Sequence, residues 1–251
     1  MHISASGTLA EQRIVTAALL VIGDEILSGR TKDQNIGALA EHLTNVGIRL
    51  REVRVVPDDE ADIVAAVDAL RRRYDYLFTT GGIGPTHDDI TADSLAKAFG
   101  VPIVLDARAE KILSDYYAAK GLELTPARLR MARIPSGADL IENPVSAAPG
   151  FRLGNVFVMA GVPSIMREML QCLTPMLETG AKLLSVTIPV NRPESEIAEI
   201  FSAHQSRYRD VQMGSYPLLR DGRPASDLVL RCSDRDRLRE AVDTLKAALG
   251  V

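Results

Sequence analysis

The chain has 251 residues, of which 46% are hydrophobic and 25% are charged, and its formal net charge is −4. This length and apolar content suffice for one large core and a smaller second one. Nucleic-acid-binding proteins need clustered cations and stacking aromatic side chains, whereas this chain has mixed charges, no tryptophan and an aromatic fraction of 4%. We therefore expect no nucleic-acid partner.

The two cysteines, Cys172 and Cys232, form no CxxC pair and indicate neither a disulfide framework nor a thiolate zinc site. Residues 1–14 are typical of a disordered tail, because they include an acidic residue and no apolar run that resembles a secretion signal. No segment approaches the length of a membrane span. We predict a cytoplasmic protein with no membrane partner.

An α/β domain is predicted for residues 15–178. Three apolar runs predict strands, at Thr16–Ile22, Ile48–Val56 and Tyr74–Thr80. The segments between these runs have apolar residues at helical spacing, and Asp58 and Asp59 are good N-caps for the second of the two helices. This alternation predicts right-handed crossovers and a three-layer fold, with a mostly parallel sheet and helices on both faces.

Further along the chain, the pattern predicts a helix near Thr91–Phe99, a short strand at Val101–Val104 and a helix near Arg108–Lys120. A hairpin around Gly154 and Asn155 precedes a helix that begins at Pro163 and is predicted to run to about Glu178. After a change of composition, residues 182–251 follow the order strand, helix, strand, strand, helix. We interpret them as a small α+β lobe.

Three loops that follow the predicted strands carry the candidate ligand-binding residues. Ligands of open parallel sheets bind at the carboxyl ends of the strands, where these loops lie. The first loop contains Asp24, Glu25 and Ser28, and its acidic pair either adds ligand contacts or merely ends the strand. The second loop contains Asp58 and Asp59, and the third extends from residue 80 to residue 91.

The third loop is the strongest motif, because its glycines leave backbone N–H groups open to a phosphate and a helix N-terminus follows. Its predicted ligand-binding residues are Thr80, Gly81, Gly82, Gly84, Pro85 and Thr86. The loop is not a Walker A motif, and His87 stands where a dinucleotide fingerprint needs its third glycine. The alternative is a tight strand-to-helix turn that Asp88 and Asp89 cap.

Acidic residues would surround a phosphate bound to this loop. Since carboxylates repel phosphates, we expect a divalent cation, Mg²⁺ in the first instance, to bridge the two. We assign Asp58, Asp88 and Asp89 as metal ligands, and Asp58 and Asp89 as catalytic residues. The alternative is that these aspartates only cap helices.

A second glycine turn follows the last strand of the predicted domain. It contains Gly161, Pro163 and Ser164. These residues are candidates for binding the other end of a ligand, and the alternative is a simple capped helix start.

Three stretches resemble the molybdopterin-binding domain of the competence/damage-inducible protein A family. They are Gly23–Gly29, Thr80–Thr91 and Ala148–Phe151, and the resemblance extends over about residues 16–175. The domain is similar to proteins of the MoaB and Mog type, which bind or adenylylate molybdopterin, and to the amino-terminal domain of eukaryotic FAD synthases. Residues 211–217 resemble the segment that closes this domain in FAD synthases and in stand-alone bacterial versions.

The resemblance implies that the glycine loop holds a phosphate, and that Asp89 and Asp58 match the acidic residues of molybdopterin adenylyltransferases. The turn that reads Pro-Gly-Pro-Pro in the family is here Ala160-Gly161-Val162-Pro163. Domains of this kind are associated with pterin binding and with pyrophosphate cleavage of ADP-ribose or FAD, and relatives self-associate.

Two functional hypotheses follow. The first is a metal-dependent hydrolase or nucleotidyl-handling enzyme, whose ligand is a pyrophosphate-containing nucleotide or pterin. The second is a non-catalytic molybdopterin-binding module of molybdenum cofactor biosynthesis. In either case we expect a small phosphorylated ligand and a dimer or trimer.

Overall fold

The computed structural model describes residues 13–251, which divide into two compact units, one ending at Gly180 and one beginning at Ala181. Residues 1–12, the greater part of the predicted tail, lie outside the described residues. Arg13, which the sequence placed in that tail, instead forms an ion pair with Asp75 at 2.5 Å. The Asp75 carboxylate also accepts hydrogen bonds from the amide and hydroxyl of Thr16, which fixes the start of the first strand.

The first unit contains eight strands and seven helices within the described part of the chain. The strands are β1 (Val15–Ile22), β2 (Ile48–Val56), β3 (Tyr76–Thr80), β4 (Ile103–Leu105), β5 (Arg133–Pro135), β6 (Asp139–Ile141), β7 (Gly150–Leu153) and β8 (Val156–Met159). The helices are α1 (Asp24–Leu27), α2 (Asn35–Asn45), α3 (Glu60–Arg73), α4 (Thr91–Phe99), α5 (Ala107–Ala119), α6 (Pro126–Leu129) and α7 (Pro163–Leu173).

The main sheet has the order β2-β1-β3-β8-β7-β6. Strands β2, β1, β3 and β8 are parallel, and only β7 runs against its two neighbours. Strands β4 and β5 form a separate antiparallel pair. The prediction of a mostly parallel α/β sheet is confirmed. Its parallel strands place their carboxyl ends at one edge, which is where the candidate loops begin.

Alternate residues of β1 enter two different apolar cores, which explains why its sequence is apolar throughout. Leu20 and Ile22 pack in a core with α3, α4 and α5. Leu19 and Val21 pack on the opposite face with α2 and α7. Helices therefore cover both faces of the sheet, as predicted, and the strand ends cannot shift without disturbing both cores.

Several predicted boundaries are corrected by the structure. The helix that begins at Pro163 ends at Leu173, and a 3₁₀ turn over Thr174–Met176 replaces its predicted last turn. The third strand starts at Tyr76 rather than Tyr74, and the short strand occupies Ile103–Leu105. Helices α1 and α6 and strands β5 and β6 had no predicted counterpart, because short elements carry too few residues to show a periodicity.

The second unit consists of an antiparallel sheet in the order β10-β11-β9 and two helices. Its elements are β9 (Leu184–Val190), α8 (Glu194–Arg207), β10 (Gln212–Arg220), β11 (Arg223–Cys232) and α9 (Arg235–Leu249). Residues of β9, β11, α8 and α9 form a core of their own. This architecture confirms the predicted small α+β lobe. No helix within residues 13–251 is long and apolar enough to cross a membrane.

Candidate functional site

A cleft of about 530 Å³ opens at the carboxyl ends of β1, β2, β3 and β8, within the first unit. Most of the predicted site residues line it. They are Glu25, Asp58, Gly81, Gly82, Gly84, Pro85, Asp88, Asp89, Gly161 and Pro163. Loops that are distant in sequence thus meet at one edge of the sheet, as expected for a parallel α/β fold.

Backbone packing dictates the first two glycines of the glycine loop, which we define as residues 81–89. Gly81 has φ 104°, and a Cβ there would lie 2.1 Å from the carbonyl oxygen of Ile22. Gly82 has φ 64°, and its Cβ would lie 2.2 Å from Thr91 Oγ1. Both positions therefore require glycine. Thr91 joins the loop to the start of α4, because its hydroxyl donates to Gly81 O and its amide to Gly82 O.

Asp89 holds the rest of the glycine loop. One carboxylate oxygen accepts the Gly84 amide at 2.6 Å, and the other accepts the amide and the hydroxyl of Thr86 at 2.8 and 2.5 Å. A Cβ at residue 84 would lie 2.6 Å from Asp89 Oδ2. We had expected the Gly84 amide to be free for a phosphate. In this conformation it is not, because Asp89 accepts it.

Asp58 is the half-buried carboxylate of the cleft. Its Oδ2 accepts the backbone amide of Asp24 at 3.0 Å. Partial burial raises the pKa of the Asp58 carboxyl above its ordinary value, and the nearby charges of Asp24, Glu25 and Asp88 raise it further, against the lowering effect of the Asp24 amide. Asp59, its neighbour, instead caps α3 by accepting the amides of Ala61 and Asp62. The capping alternative therefore holds for Asp59 and not for Asp58.

The electrostatics of the cleft are one-sided. Its lining includes the carboxylates of Glu25, Asp58, Asp88 and Asp89, while no lysine, arginine or histidine of the described chain lines it. Across residues 13–251, no three side chains of the types His, Cys, Asp and Glu converge closely enough to hold one metal ion. The predicted metal ligands Asp58, Asp88 and Asp89 all line the cleft but do not form such a group in this conformation, and their role as metal ligands stays a prediction. A physical reason is that the oxygens of Asp89 are engaged within its own loop.

The carboxylates of the cleft still suit a hard cation for which the protein supplies only some of the coordinating oxygens. Mg²⁺ commonly binds to one or two carboxylates and completes its coordination with water and ligand phosphates. Asp58 and Asp88 also line the cleft. Asp58 accepts one backbone amide through Oδ2, whereas Asp89 accepts three hydrogen bonds through both oxygens. A hydrogen bond with Thr86 lowers the pKa of the Asp88 carboxyl, which favours its charged form. Two such carboxylates fit that mode of binding.

Several predicted ligand contacts are not brought to the cleft. Thr80 is 1% exposed, so its side chain belongs to the interior. Thr86 gives its amide and hydroxyl to Asp89. Asp24, Ser28 and Ser164 are exposed and lie outside the cleft lining, although the charge of Asp24 acts on Asp58. These residues are corrected to supporting or surface positions.

A further part of the cleft lining was missed by the sequence analysis. It includes Asn143, Ser146 and Ala148, which belong to a loop that we call the asparagine loop, residues 143–148. Asn143 is 5% exposed, and its side chain forms four hydrogen bonds within this loop. Sequence reasoning could not single out Asn143, because asparagine in a loop is typical of a turn and its burial is known only from the structure. Thr31, Met131, Val162 and Ile165 also line the cleft without having been predicted.

The comparisons with known proteins agree with this geometry. Residues 18–179 match the family described as "Probable molybdopterin binding domain". The chain belongs to this family. Residues 182–251 match the family described as "FAD synthase, middle domain". The resemblance stated from the sequence motifs is thereby confirmed, at the level of the family.

Named relatives place the chain among CinA-like proteins. A CinA-like protein of Desulfosudis oleivorans is 38% identical over 194 residues, which are 73% of this chain and 47% of that protein. A protein of Archaeoglobus fulgidus is 31% identical over 92% of this chain and 96% of its own length. The chain thus spans about half the length of the first relative and nearly all of the second.

A solved structure is similar to the first unit. The crystal structure of the protein CinA with unknown function from Thermoplasma acidophilum is 35% identical, with a TM-score of 0.60, and covers 65% of this chain and 98% of that one. This likeness supports the fold and the family. The expected dimer or trimer and the cytoplasmic location stay predictions.

Proposed function

We propose that this chain is a metal-dependent pyrophosphate hydrolase whose substrate is a nucleotide or pterin with a pyrophosphate group, such as ADP-ribose or FAD. The observation that carries the proposal is a cleft that combines a glycine loop with carboxylates and lacks basic side chains. No lysine or arginine within residues 13–251 lines this cleft, although Arg130 and Arg133 line a smaller cavity beside Gly82 and Gly84. The carboxylates that line the cleft repel a phosphate. A divalent cation that enters with the substrate resolves the repulsion.

The glycine loop supplies the anion-binding backbone in this proposal. Gly84 donates its amide to Asp89, and Gly81 donates its amide to Met159 O, so Gly82 and Ile83 are the adjacent cleft residues whose amides are left to approach a phosphate. Nothing larger than hydrogen fits on the Cα of Gly82, since a Cβ would meet Thr91. The preorganised loop would hold a phosphate without further rearrangement.

Asp58 and Asp88 are the residues that would hold the cation. A bound Mg²⁺ supplies neutralisation of phosphate charge and polarisation of the phosphoryl group. Asp58 would have a second task as the acceptor of the proton of the attacking water, since it is a half-buried carboxylate of the cleft and gives only Oδ2 to a protein hydrogen bond. In the hydrolysis, a water oxygen bonds to one phosphorus, Asp58 accepts the water proton, and the bridging P–O bond breaks to give two phosphate monoesters.

The test uses the neighbouring pair Asp58 and Asp59. The protein is incubated with ADP-ribose or FAD in Mg²⁺, and the monophosphate products are quantified. Asp58→Asn preserves the hydrogen-bond acceptor for the Asp24 amide but removes the charge and the basicity, so kcat should fall by about 100-fold. Asp59→Asn keeps a good N-cap outside the cleft and should retain activity within about twofold.

Absence of monophosphate products from every pyrophosphate substrate, with Mg²⁺, Mn²⁺ or Co²⁺, would reject the hydrolase proposal. So would equal losses in the two variants, because Asp59 lies outside the cleft.

A second candidate function is a molybdopterin-binding module without catalysis. The engaged carboxylate of Asp89 and the lack of a three-residue metal centre among residues 13–251 favour it. The family match favours it as well. Calorimetric titration with molybdopterin or its adenylylated form, followed by analysis of the recovered ligand, separates the candidates. A binding module returns the ligand intact, whereas a hydrolase returns cleaved products.

A further inference from the structure

The asparagine loop contains a hydroxyl that its own network orients. Asn143 Oδ1 accepts the amides of Val145 and Ser146, both at 3.1 Å. Asn143 Nδ2 donates to Ala148 O at 2.8 Å and to Ser146 Oγ at 2.7 Å. The amide group cannot be flipped, because Ala148 O only accepts and the two backbone amides only donate.

This network determines the role that the Ser146 hydroxyl can take. Asn143 Nδ2 is a donor only, so Ser146 Oγ must be the acceptor in their hydrogen bond. The hydroxyl hydrogen is then directed away from Asn143, and it has no acceptor among the described residues. Since Ser146 lines the cleft, it presents an oriented donor to whatever the cleft holds.

The backbone of the loop supports a functional reading of this arrangement. Ala147 has φ 62°, one of two positive values among the non-glycine residues described. Such backbone strain is concentrated at ligand-binding and catalytic sites, where the surrounding structure maintains it. Here the buried Asn143 side chain maintains it through bonds to both sides of residue 147.

The surroundings of Ser146 indicate which part of a ligand it meets. The asparagine loop, residues 143–148, contains no charged residue. The carboxylates come from the loops that follow β1, β2 and β3. An uncharged ring suits the asparagine loop, and a phosphate with its cation suits the loops that follow β1, β2 and β3.

We propose that Ser146 is a specificity-determining residue, which donates a hydrogen bond to a carbonyl oxygen or ring nitrogen on the heteroaromatic part of the ligand. The inference rests on the proposed function in one respect, namely that the pyrophosphate lies on the glycine loop. Asn143 is the positioning residue that turns the hydroxyl toward the cleft.

The test compares probes with and without a ring. Affinities of the full chain for FAD, ADP-ribose and inorganic pyrophosphate are measured by calorimetry, with Mg²⁺ and in a parallel series with EDTA. Ser146→Ala should weaken at least one ring-bearing probe about 3- to 10-fold, the loss that one hydrogen bond produces, and leave pyrophosphate within about twofold. Ser146→Thr keeps the hydroxyl and should bind that probe within about threefold of the wild-type chain.

Two control variants distinguish this inference from the proposed function. Ser114→Ala removes an exposed hydroxyl of α5 outside the cleft lining and should bind every probe normally. Gly82→Ala should weaken all three probes. If Gly82→Ala leaves pyrophosphate binding unchanged, the proposal that the glycine loop binds the phosphate is contradicted. The effect of Ser146→Ala on the affinity for the ring-bearing probes can still be measured in that case.

The Ser146 inference itself is overturned by any of three results. They are equal weakening of all probes by Ser146→Ala, no weakening of either ring-bearing probe, and a Ser146→Thr variant as weak as Ser146→Ala. Failure of every probe to bind the wild-type chain would overturn both proposals.

Discussion

Two loops that line the cleft are each held by one side chain. We call them the glycine wall, residues 81–89, and the asparagine wall, residues 143–148, and the side chains that hold them differ in charge and burial. Asp89 holds the glycine loop as a half-buried carboxylate that accepts three hydrogen bonds. Asn143 holds the asparagine loop as a buried amide that both donates and accepts. A carboxylate only accepts, so it gathers amides and hydroxyls inward, whereas an amide can also direct a neighbouring hydroxyl outward.

The difference separates two kinds of preorganisation. On the glycine wall, the holding residue uses donors that a phosphate would otherwise use, namely the Gly84 amide and the Thr86 amide and hydroxyl. On the asparagine wall, the holding residue leaves the Ser146 hydroxyl available. Asp89, the last residue of the glycine loop, thus has a structural role in this conformation, although its position in the sequence suggested a catalytic one.

The largest expected effect is a loss of stability at Gly81, where the glycine wall crosses the sheet edge. Gly81→Ala places a Cβ 2.1 Å from a backbone oxygen at φ 104°, and should lower the free energy of unfolding by about 3–5 kcal/mol. Gly137→Ala is the matched control, with φ 84° but open space around its Cβ, and should lose about 1 kcal/mol. Urea denaturation measures both, and equal losses would show that packing against Ile22 is unimportant.

Asn143→Ala should have the next largest effect. It removes four hydrogen bonds of a buried side chain and leaves their part-buried partners unpaired, so the free energy of unfolding should fall by about 2–4 kcal/mol. Asn45→Ala, at the exposed end of α2, should change it by less than about 0.5 kcal/mol. A loss at residue 143 no larger than at residue 45 would mean that the asparagine loop is held by something else.

Asp89→Asn tests whether the glycine wall is held by Asp89 or whether Asp89 serves a metal. An amide can replace one carboxylate oxygen but not both, so the free energy of unfolding should fall by about 1–2 kcal/mol. Pyrophosphate binding should weaken in EDTA as well as in Mg²⁺, because the loop itself is disturbed. Weakening in Mg²⁺ alone would instead assign Asp89 to the cation.

The smallest effect is expected at Asp58, and it has the opposite sign. Its raised pKa means that the folded protein disfavours the charged carboxylate, so this group favours folding least at neutral pH. Asp58→Asn should therefore raise the melting temperature by about 1–4 °C at pH 7. The gain should shrink as the pH falls below the raised pKa of Asp58, and it should vanish below the ordinary pKa of the carboxyl, where the group is neutral in both the folded and the unfolded chain. A gain that persists at acid pH would point to a cause other than charge.

Sequence reasoning recovered the glycine wall because its signals are local. Three glycines within residues 81–84, followed by Asp88 and Asp89, make a recognisable pattern without any knowledge of the rest of the fold. The same reasoning placed Asp58 nearby, since loops after neighbouring parallel strands share one edge. It failed for Thr80 and Thr86, because whether a threonine faces the interior or gives its hydroxyl to a neighbour depends on rotamers and packing.

The second unit shows the same contrast between local patterns and tertiary contacts. Periodicity in the sequence predicted its order of strands and helices. By contrast, the burial of His204, which is 7% exposed and hydrogen-bonds through Nε2 to Ala241 O, was not predicted from the sequence. That contact joins α8 to α9 across 37 residues, and no pattern within α8 announces it.

Periodicity and glycine spacing by themselves determined the α/β class, the mostly parallel sheet and the glycine loop, and the resemblance of three sequence motifs indicated the family. These features depend on short-range patterns, which a linear sequence preserves. Only the tertiary structure decided that both carboxylate oxygens of Asp89 accept hydrogen bonds from its own loop. It also decided that Asp58 is half-buried near other carboxylates, and that Asn143 and Ser146 line the same cleft. Those facts depend on burial and on hydrogen bonds between atoms of known position, and such directions exist only once the chain has folded.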